Sequence, residues 1–249
     1  MMNWVTVARL SGLLLLLAIA APGYCAEEEE EDDIPGEFGG SLLFSTNYMF
    51  RSISNSNNRA QVQGDMHWSH DSGIYVGLWA SNTDFGGVGN SMELDPYIGI
   101  AGDIGDSGFS YDIGYWSYNY PGSESQLDYG EFYFTPSYSF SNITISPGFW
   151  YADNYFGHDF LRGVSSLAYE VTVSADFQRD ISLSAHVGEQ TFKSGYSWLN
   201  YTYWDFGIAK DWNDFNFSLR WYDTNDIEPF LANPKLADGN IVFGITRSF

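Results

Sequence analysis

The feature that most constrains this chain is a two-residue apolar period. It recurs in segments of about ten residues from residue 38 to the end. In residues 240–249 the set Ile241, Phe243, Ile245 and Phe249 takes one face, and Val242, Gly244, Thr246 and Ser248 take the other. Residues 215–222 set Phe215, Phe217, Leu219 and Trp221 against Asn216, Ser218, Arg220 and Tyr222. Residues 180–188 set Ile181, Leu183, Ala185 and Val187 against Ser182, Ser184, His186 and Gly188. Residues 73–81 behave likewise, with Ile74, Val76, Leu78 and Ala80 opposing Tyr75, Gly77, Trp79 and Ser81. No stretch after residue 38 sustains a helical period, so the body is all-β.

Twelve such segments are expected: 38–51, 61–69, 73–82, 92–103, 108–118, 127–140, 142–152, 165–178, 180–190, 201–211, 214–223 and 240–249. The connections sort by length. The even-numbered ones are tight, at 70–73, 105–107, Ser141, Arg179 and 211–214. The odd-numbered ones are long, at 52–60, 83–91, 119–126, 153–164, 191–200 and 224–239. Short turns at one end and long loops at the other predict a transmembrane antiparallel up-and-down β-barrel of about 12 strands, with periplasmic turns and extracellular loops. A soluble sandwich has no reason to sort its connections this way. A last strand ending on Phe249 fits a closed barrel, because pairing it with the first strand removes both edges. Phe249 is also the expected C-terminal signal read by the barrel-assembly machinery. Pro96, Pro136 and Pro147 fall inside proposed strands, where each deletes a ladder donor, so bulges or frayed ends are expected there.

The N-terminus reads as an export signal. Arg9 precedes an apolar run of 12 residues from Leu10 to Ala21, too short to span a bilayer core that needs about 20. Residues 1–26 are therefore expected to be a signal peptide cleaved between 20 and 26. Seven consecutive acids follow from Glu27 to Asp33, and residues 27–37 read as an acidic periplasmic linker leading to the barrel at 38–249. The chain carries 32 acids against 10 Lys and Arg, a formal charge of −22. Outside the acidic run, 25 acids (32 less 7) still face 9 bases (10 less Arg9). That balance argues against a nucleic-acid partner, since little is present to neutralise phosphates. The single cysteine, Cys25, excludes a disulfide scaffold and a thiolate zinc cluster.

Several stretches also carry a family likeness: Ser45–Ser56 (STNYMFRSISNS), Gly73–Phe85 (GIYVGLWASNTDF), Ser110–Gly122 (SYDIGYWSYNYPG), Tyr203–Trp212 (YWDFGIAKDW) and the closing VFGITRSF. On these residues the chain resembles the TorF-like porins, proteobacterial proteins of similar size. One departure is Ser52, where the family pattern favours Gly after Phe-Arg. The resemblance implies an outer-membrane barrel with a suspected pore role, and it transfers no catalytic or binding residue.

Strand parity places Asp65, Glu93, Asp95, Asp112, Glu131, Glu170, Asp176 and Asp205 in the lumen, with Arg51, Arg220, His67 and His186. A charge facing lipid near the midplane costs roughly 2–4 kcal/mol, so these groups are expected inside. Eight acids against two arginines predict a field that favours cations, as acidic rings do in cation channels. The competing expectation is that the arginines pair with some acids and fill the interior. Twelve strands lie between the roughly eight that side chains fill and the sixteen that leave a channel. Inward Trp79, Trp116, Trp150, Tyr75, Tyr97, Tyr129 and Tyr133 narrow it further. Arg247 and Lys210 have lipid-face parity near strand ends and are expected to snorkel, and aromatics near strand ends suit two interfacial girdles.

The function expected is a narrow, passive, cation-preferring outer-membrane porin for small solutes, without cofactor or catalysis. Its partners would be outer-membrane lipid, lipopolysaccharide and the permeating solutes. One alternative is a filled structural barrel, or a receptor or adhesin acting through the loops at 153–164 and 224–239. A more remote one is a lipid hydrolase built on Ser184 and His186, which lie two residues apart on one face. His67 and His186 sharing a metal with inward carboxylates is a weaker reading still.

Overall fold

The computed structural model describes residues 35–85, 89–123, 126–193, 195–225, 227 and 233–249. The expected signal peptide, most of the acidic linker and part of the 224–239 loop lie outside these residues. The body is a closed antiparallel barrel of twelve staves. They are β1 (Glu37–Ser45), β4 (Gln61–Ser69), β5 (Ile74–Asn82), β6 (Met92–Asp103), β7 (Phe109–Tyr118), β8 (Tyr129–Phe134) continued by β9 (Ser137–Phe140), β10 (Ile143–Ala152), β11 (Ser166–Phe177), β12 (Ile181–Phe192), β13 (Tyr201–Trp212), β14 (Phe215–Thr224) and β15 (Asn240–Ser248). β15 pairs with β1, Ser41 opposite Ser248, which closes the ring. Phe249 exchanges two backbone hydrogen bonds with Gly40, at 2.9 and 3.0 Å, so the ladder runs to the last residue.

Both ends of the described chain lie at the end of the barrel where the connections are tight. The two-residue link Asn213–Asp214 has φ of 47° and 64°, the doubly left-handed geometry that matches strand twist in the shortest hairpins. The outer wall is apolar. On β5, for example, Ile74, Val76 and Leu78 all stand outward and exposed. Exposed Phe109, Phe140, Phe177, Trp212 and Phe215 ring the turn end as an aromatic girdle. Arg247 reaches along the rim to Asp214 at 2.8 Å and lies over the Phe215 ring, while Lys210 donates to the Arg179 carbonyl at 2.5 Å.

The prolines are accommodated differently from one another. Pro136 splits one stave into β8 and β9. Continuing the register from Phe149 opposite Phe134 to Ile145 opposite Tyr138 sets Pro147 directly across from Pro136. Two residues without N–H thus face each other, and the ladder is interrupted at a single place. Pro96 stays within an unbroken β6, paired with Leu78 of β5.

One boundary differs from expectation. The first strand does not run to residue 51 but ends at Ser45. Thr46 closes the pairing, its N–H on the Phe243 carbonyl and its hydroxyl accepting from the Phe243 N–H. The chain then turns into the barrel. Residues 46–60 carry a small hairpin of β2 (Met49–Phe50) and β3 (Ile53–Ser54), tied at its neck by Asn47. The Asn47 carbonyl oxygen of the side chain accepts from Ser54 at 2.6 Å and Ser56 at 2.9 Å, and its amide donates to Asn58 at 2.9 Å. The tip residues Arg51 and Ser52 have φ of 46° and 60°. The position where the family likeness favours Gly is therefore one whose backbone suits Gly.

Candidate functional site

The lumen is built by the inward residues of every stave, and a recurring pair shapes it. Inward glycines lie directly opposite large inward side chains on the neighbouring strand: Gly77 opposite Tyr97, Gly99 opposite Tyr75, Gly114 opposite Tyr133 and Gly188 opposite Tyr203. A Cβ at any of these glycines would collide with the facing ring. The rings therefore lie along the wall instead of projecting across the bore.

Toward the loop end the bore is occupied by the hairpin. Arg51 crosses it and makes a two-pronged ion pair with Glu131, at 2.9 and 2.8 Å. Its guanidinium also donates to Gln190 at 2.7 Å. Glu131 accepts a third bond from Tyr118, at 3.0 Å. Neighbouring Ser52 donates to the Trp204 carbonyl at 3.0 Å, so the tip touches β8, β12 and β13 together. Burial alone would pull the Arg51 guanidinium down, but the Glu131 carboxylate holds it well above its ordinary value. Arg51 is thus a lumen cation, as parity suggested, but it arrives on a loop and not on the first strand.

Beside this seat lie Glu93 and Asp95, both fully buried. Tyr120 donates to Glu93 at 2.9 Å, and Asp95 accepts from the Trp116 indole and the Asn119 backbone, both at 3.0 Å. Burial and the adjacent Glu93 push the Tyr120 phenol well above its ordinary value, so it remains a donor.

Toward the turn end the bore is open. A cavity of about 490 Å³ is bounded by Asp65, His67, Tyr75, Tyr97, Asp112, Trp116, Tyr133 and Trp150, among others. Tyr97 donates to Asp65 at 2.7 Å, His67 Nδ1 lies 2.7 Å from the same carboxylate, and Tyr75 joins Asp112 and Tyr133. Across the bore, His186 is held between Asp205 at 2.8 Å and Glu170 at 3.2 Å. Arg220 bonds Asp205 and Ser184, and Glu170 also accepts from Trp150 at 2.8 Å and Tyr203 at 2.7 Å. Asp176 stands apart, exposed at the turn-end rim.

This geometry answers the remote readings. The Ser184 hydroxyl oxygen accepts from Arg220 and both His186 nitrogens face carboxylates, so Ser184 and His186 form no couple. His67 and His186 lie in separate clusters, and among the described residues no group of three metal-ligating side chains forms. The 153–164 loop turns Tyr155 and Phe156 inward, Phe156 stacking on Phe192 with centroids 5.2 Å apart and Tyr155 meeting Phe192 edge-on, and leaves Phe160 exposed. Parity also turns Gln190 and Tyr118 into the lumen, whereas the residues it misses are Tyr48 and Ser52, on the hairpin itself. The signal that could have located them is the density of Ser and Asn at 45–58, which reads as turn and not as strand.

Residues 29–249 match the family model Gcw_chp, described as a bacterial protein of unknown function. Among curated proteins nothing matches. Of the solved structures, the KdgM porin is 8% identical with a TM-score of 0.58, over 85% of this chain and 99% of that one. The NanC porin in its rhombohedral crystal form is also 8% identical, with a TM-score of 0.56 over 84% of this chain and 98% of that one. At such identity the likeness is one of fold, and the fold is that of outer-membrane porin barrels.

Proposed function

The chain belongs to the Gcw_chp family of bacterial proteins of unknown function, and from that premise we propose that it is a narrow, passive, cation-preferring pore for small solutes. Its turns would face the periplasm of a Gram-negative cell and its loops the exterior. Outer-membrane lipid and lipopolysaccharide would then contact the apolar wall, and the barrel-assembly machinery would read the strand ending at Phe249. The TorF-like assignment is the finer proposal, supported by the stretches that carry the likeness.

One observation carries the cation preference: which lumen acids are compensated. Arg51 pairs with Glu131 and Arg220 with Asp205, while His186 bridges Glu170 and Asp205. Among the described residues, Asp65, Glu93, Asp95, Asp112 and Asp176 form no ion pair with Lys or Arg. Of these, Asp65 and Asp112 border the open cavity and Asp176 stands at the turn-end rim, and their negative charge favours a permeating cation there. A second reading, a filled barrel serving as a receptor or scaffold, is favoured by the buried hairpin tip.

Planar-bilayer recording of the refolded protein under a potassium chloride gradient tests both. The expected outcome is discrete conductance steps with a reversal potential favouring potassium. A silent membrane, with folding verified by a heat-dependent gel shift, would leave the filled barrel. Steps with an anion-favouring reversal potential would overturn the charge argument alone.

A further inference from the structure

The cavity beneath the hairpin joins two surfaces that rarely share a wall. The first is charge. Asp65 and Asp112 both bound it, and their partners are phenols and one imidazole, with no Lys or Arg ion pair among the described residues. The second is aromatic. Tyr97 stacks on Trp116 with centroids 4.3 Å apart and planes within 4°, and Tyr133 stacks on Trp150 at 4.7 Å. The Trp150 ring already meets a cation, since the Arg51 guanidinium carbon lies 6.0 Å from its centroid. The opposing glycines keep the tyrosines flat, and the space left is about 490 Å³, inside the roughly 300–1,000 Å³ range of small-molecule sites.

We propose that this cavity is a binding station for a small organic ammonium ion, a primary or quaternary amine carrying short alkyl groups. The inference deepens the pore reading by naming a solute class for the same lumen. A bare alkali ion would use the two carboxylates and gain little from the rings. A neutral sugar would stack on the rings and leave the charge unanswered. An alkylammonium uses both, because its diffuse charge is attracted to the negative ring faces while its methyl groups shed water against them. A multidentate metal site is the poorer fit, as no group of three ligating side chains gathers among the described residues.

Calorimetric titration of the refolded barrel in detergent with choline chloride tests this, with potassium chloride and glucose as controls. Saturable choline binding is expected, displaced by tetramethylammonium but not by sodium at equal concentration. It should weaken at least about tenfold in the Asp65→Asn/Asp112→Asn double variant, each factor of ten being about 1.4 kcal/mol. Absence of saturable choline binding by the folded protein overturns the proposal, as does equal binding of glucose. Unchanged affinity in a double variant that folds does the same. If that variant fails to fold, the displacement experiment on the unaltered protein decides. Binding is read without current, so a silent barrel that binds choline removes only the pore reading. A barrel that conducts potassium and ignores choline removes only the binding station.

Discussion

The loop-end and turn-end halves of the lumen are lined by the same staves with the same alternation, yet they hold charge in different ways. Around the hairpin tip, Arg51 and Glu131 are sealed, their side chains 5% and 0% exposed, and both terminal nitrogens of the guanidinium are aimed at acceptors. At Arg220 the side chain is 25% exposed and its partner Asp205 8%. The difference is made by one loop. Where the hairpin displaces water the charges must satisfy one another, and where it does not reach they share a wet cavity with phenols.

The largest effect expected follows from that contrast. Arg51→Ala strips the partner from a buried carboxylate, a change that typically costs about 3–5 kcal/mol. It should lower the temperature of the heat-dependent gel shift and, with the tip untethered, raise single-channel conductance. Adding Glu131→Gln should restore part of the stability without restoring the narrow conductance. Arg220→Ala should cost clearly less, because His186 still holds Asp205 at 2.8 Å and the Arg220 side chain is a quarter exposed. Equal losses for the two arginines would break the comparison.

A second test, smaller in size, uses the glycines. Gly188 lies under Tyr203, which is fully buried, so a methyl group there leaves the ring nowhere to go. Gly188→Ala should cost about 1–3 kcal/mol, the usual range for overpacking. Gly77→Ala meets Tyr97, whose ring borders the open cavity and can swing into it. That variant should unfold at nearly the unaltered temperature but conduct less, because the displaced ring narrows the bore. Thermal gel shifts and conductance measured side by side on the two variants check the contrast.

How far the sequence reveals these halves also differs. All twelve staves are legible from alternation, because lipid outside and polar lumen inside impose a period of two on every strand. The same rule misleads over residues 46–51. The peptide from Tyr48 to Arg51 alternates well enough to pass for strand, but the partners of Arg51 are Gln190 and Glu131, both more than 75 residues away. Nothing local announces such contacts. Parity could likewise assign Asp65, Asp112, Glu170 and Asp205 to the lumen, but not which of them a base would neutralise. That depends on the register of neighbouring strands, and register is a property of pairs. Pro136 and Pro147 make the same point: each alone argues against a strand, and only their facing positions explain how both are tolerated.

The smallest effect belongs to the rim, where neither kind of burial operates. Arg247 and Asp214 are 2.8 Å apart, with side chains 41% and 76% exposed. An exposed pair of this kind contributes about 0–1 kcal/mol and is screened by salt. Arg247→Ala should therefore leave the gel-shift temperature within about 1 kcal/mol of the unaltered protein in stability, and leave the conductance unchanged. A substantial loss would mean that the Arg247 side chain over Phe215 contributes to the final strand's closure against β1, and that position along the barrel does not by itself rank its charges. A null result would strengthen the ordering from sealed tip through wet cavity to open rim, in which access of water sets the worth of each ion pair.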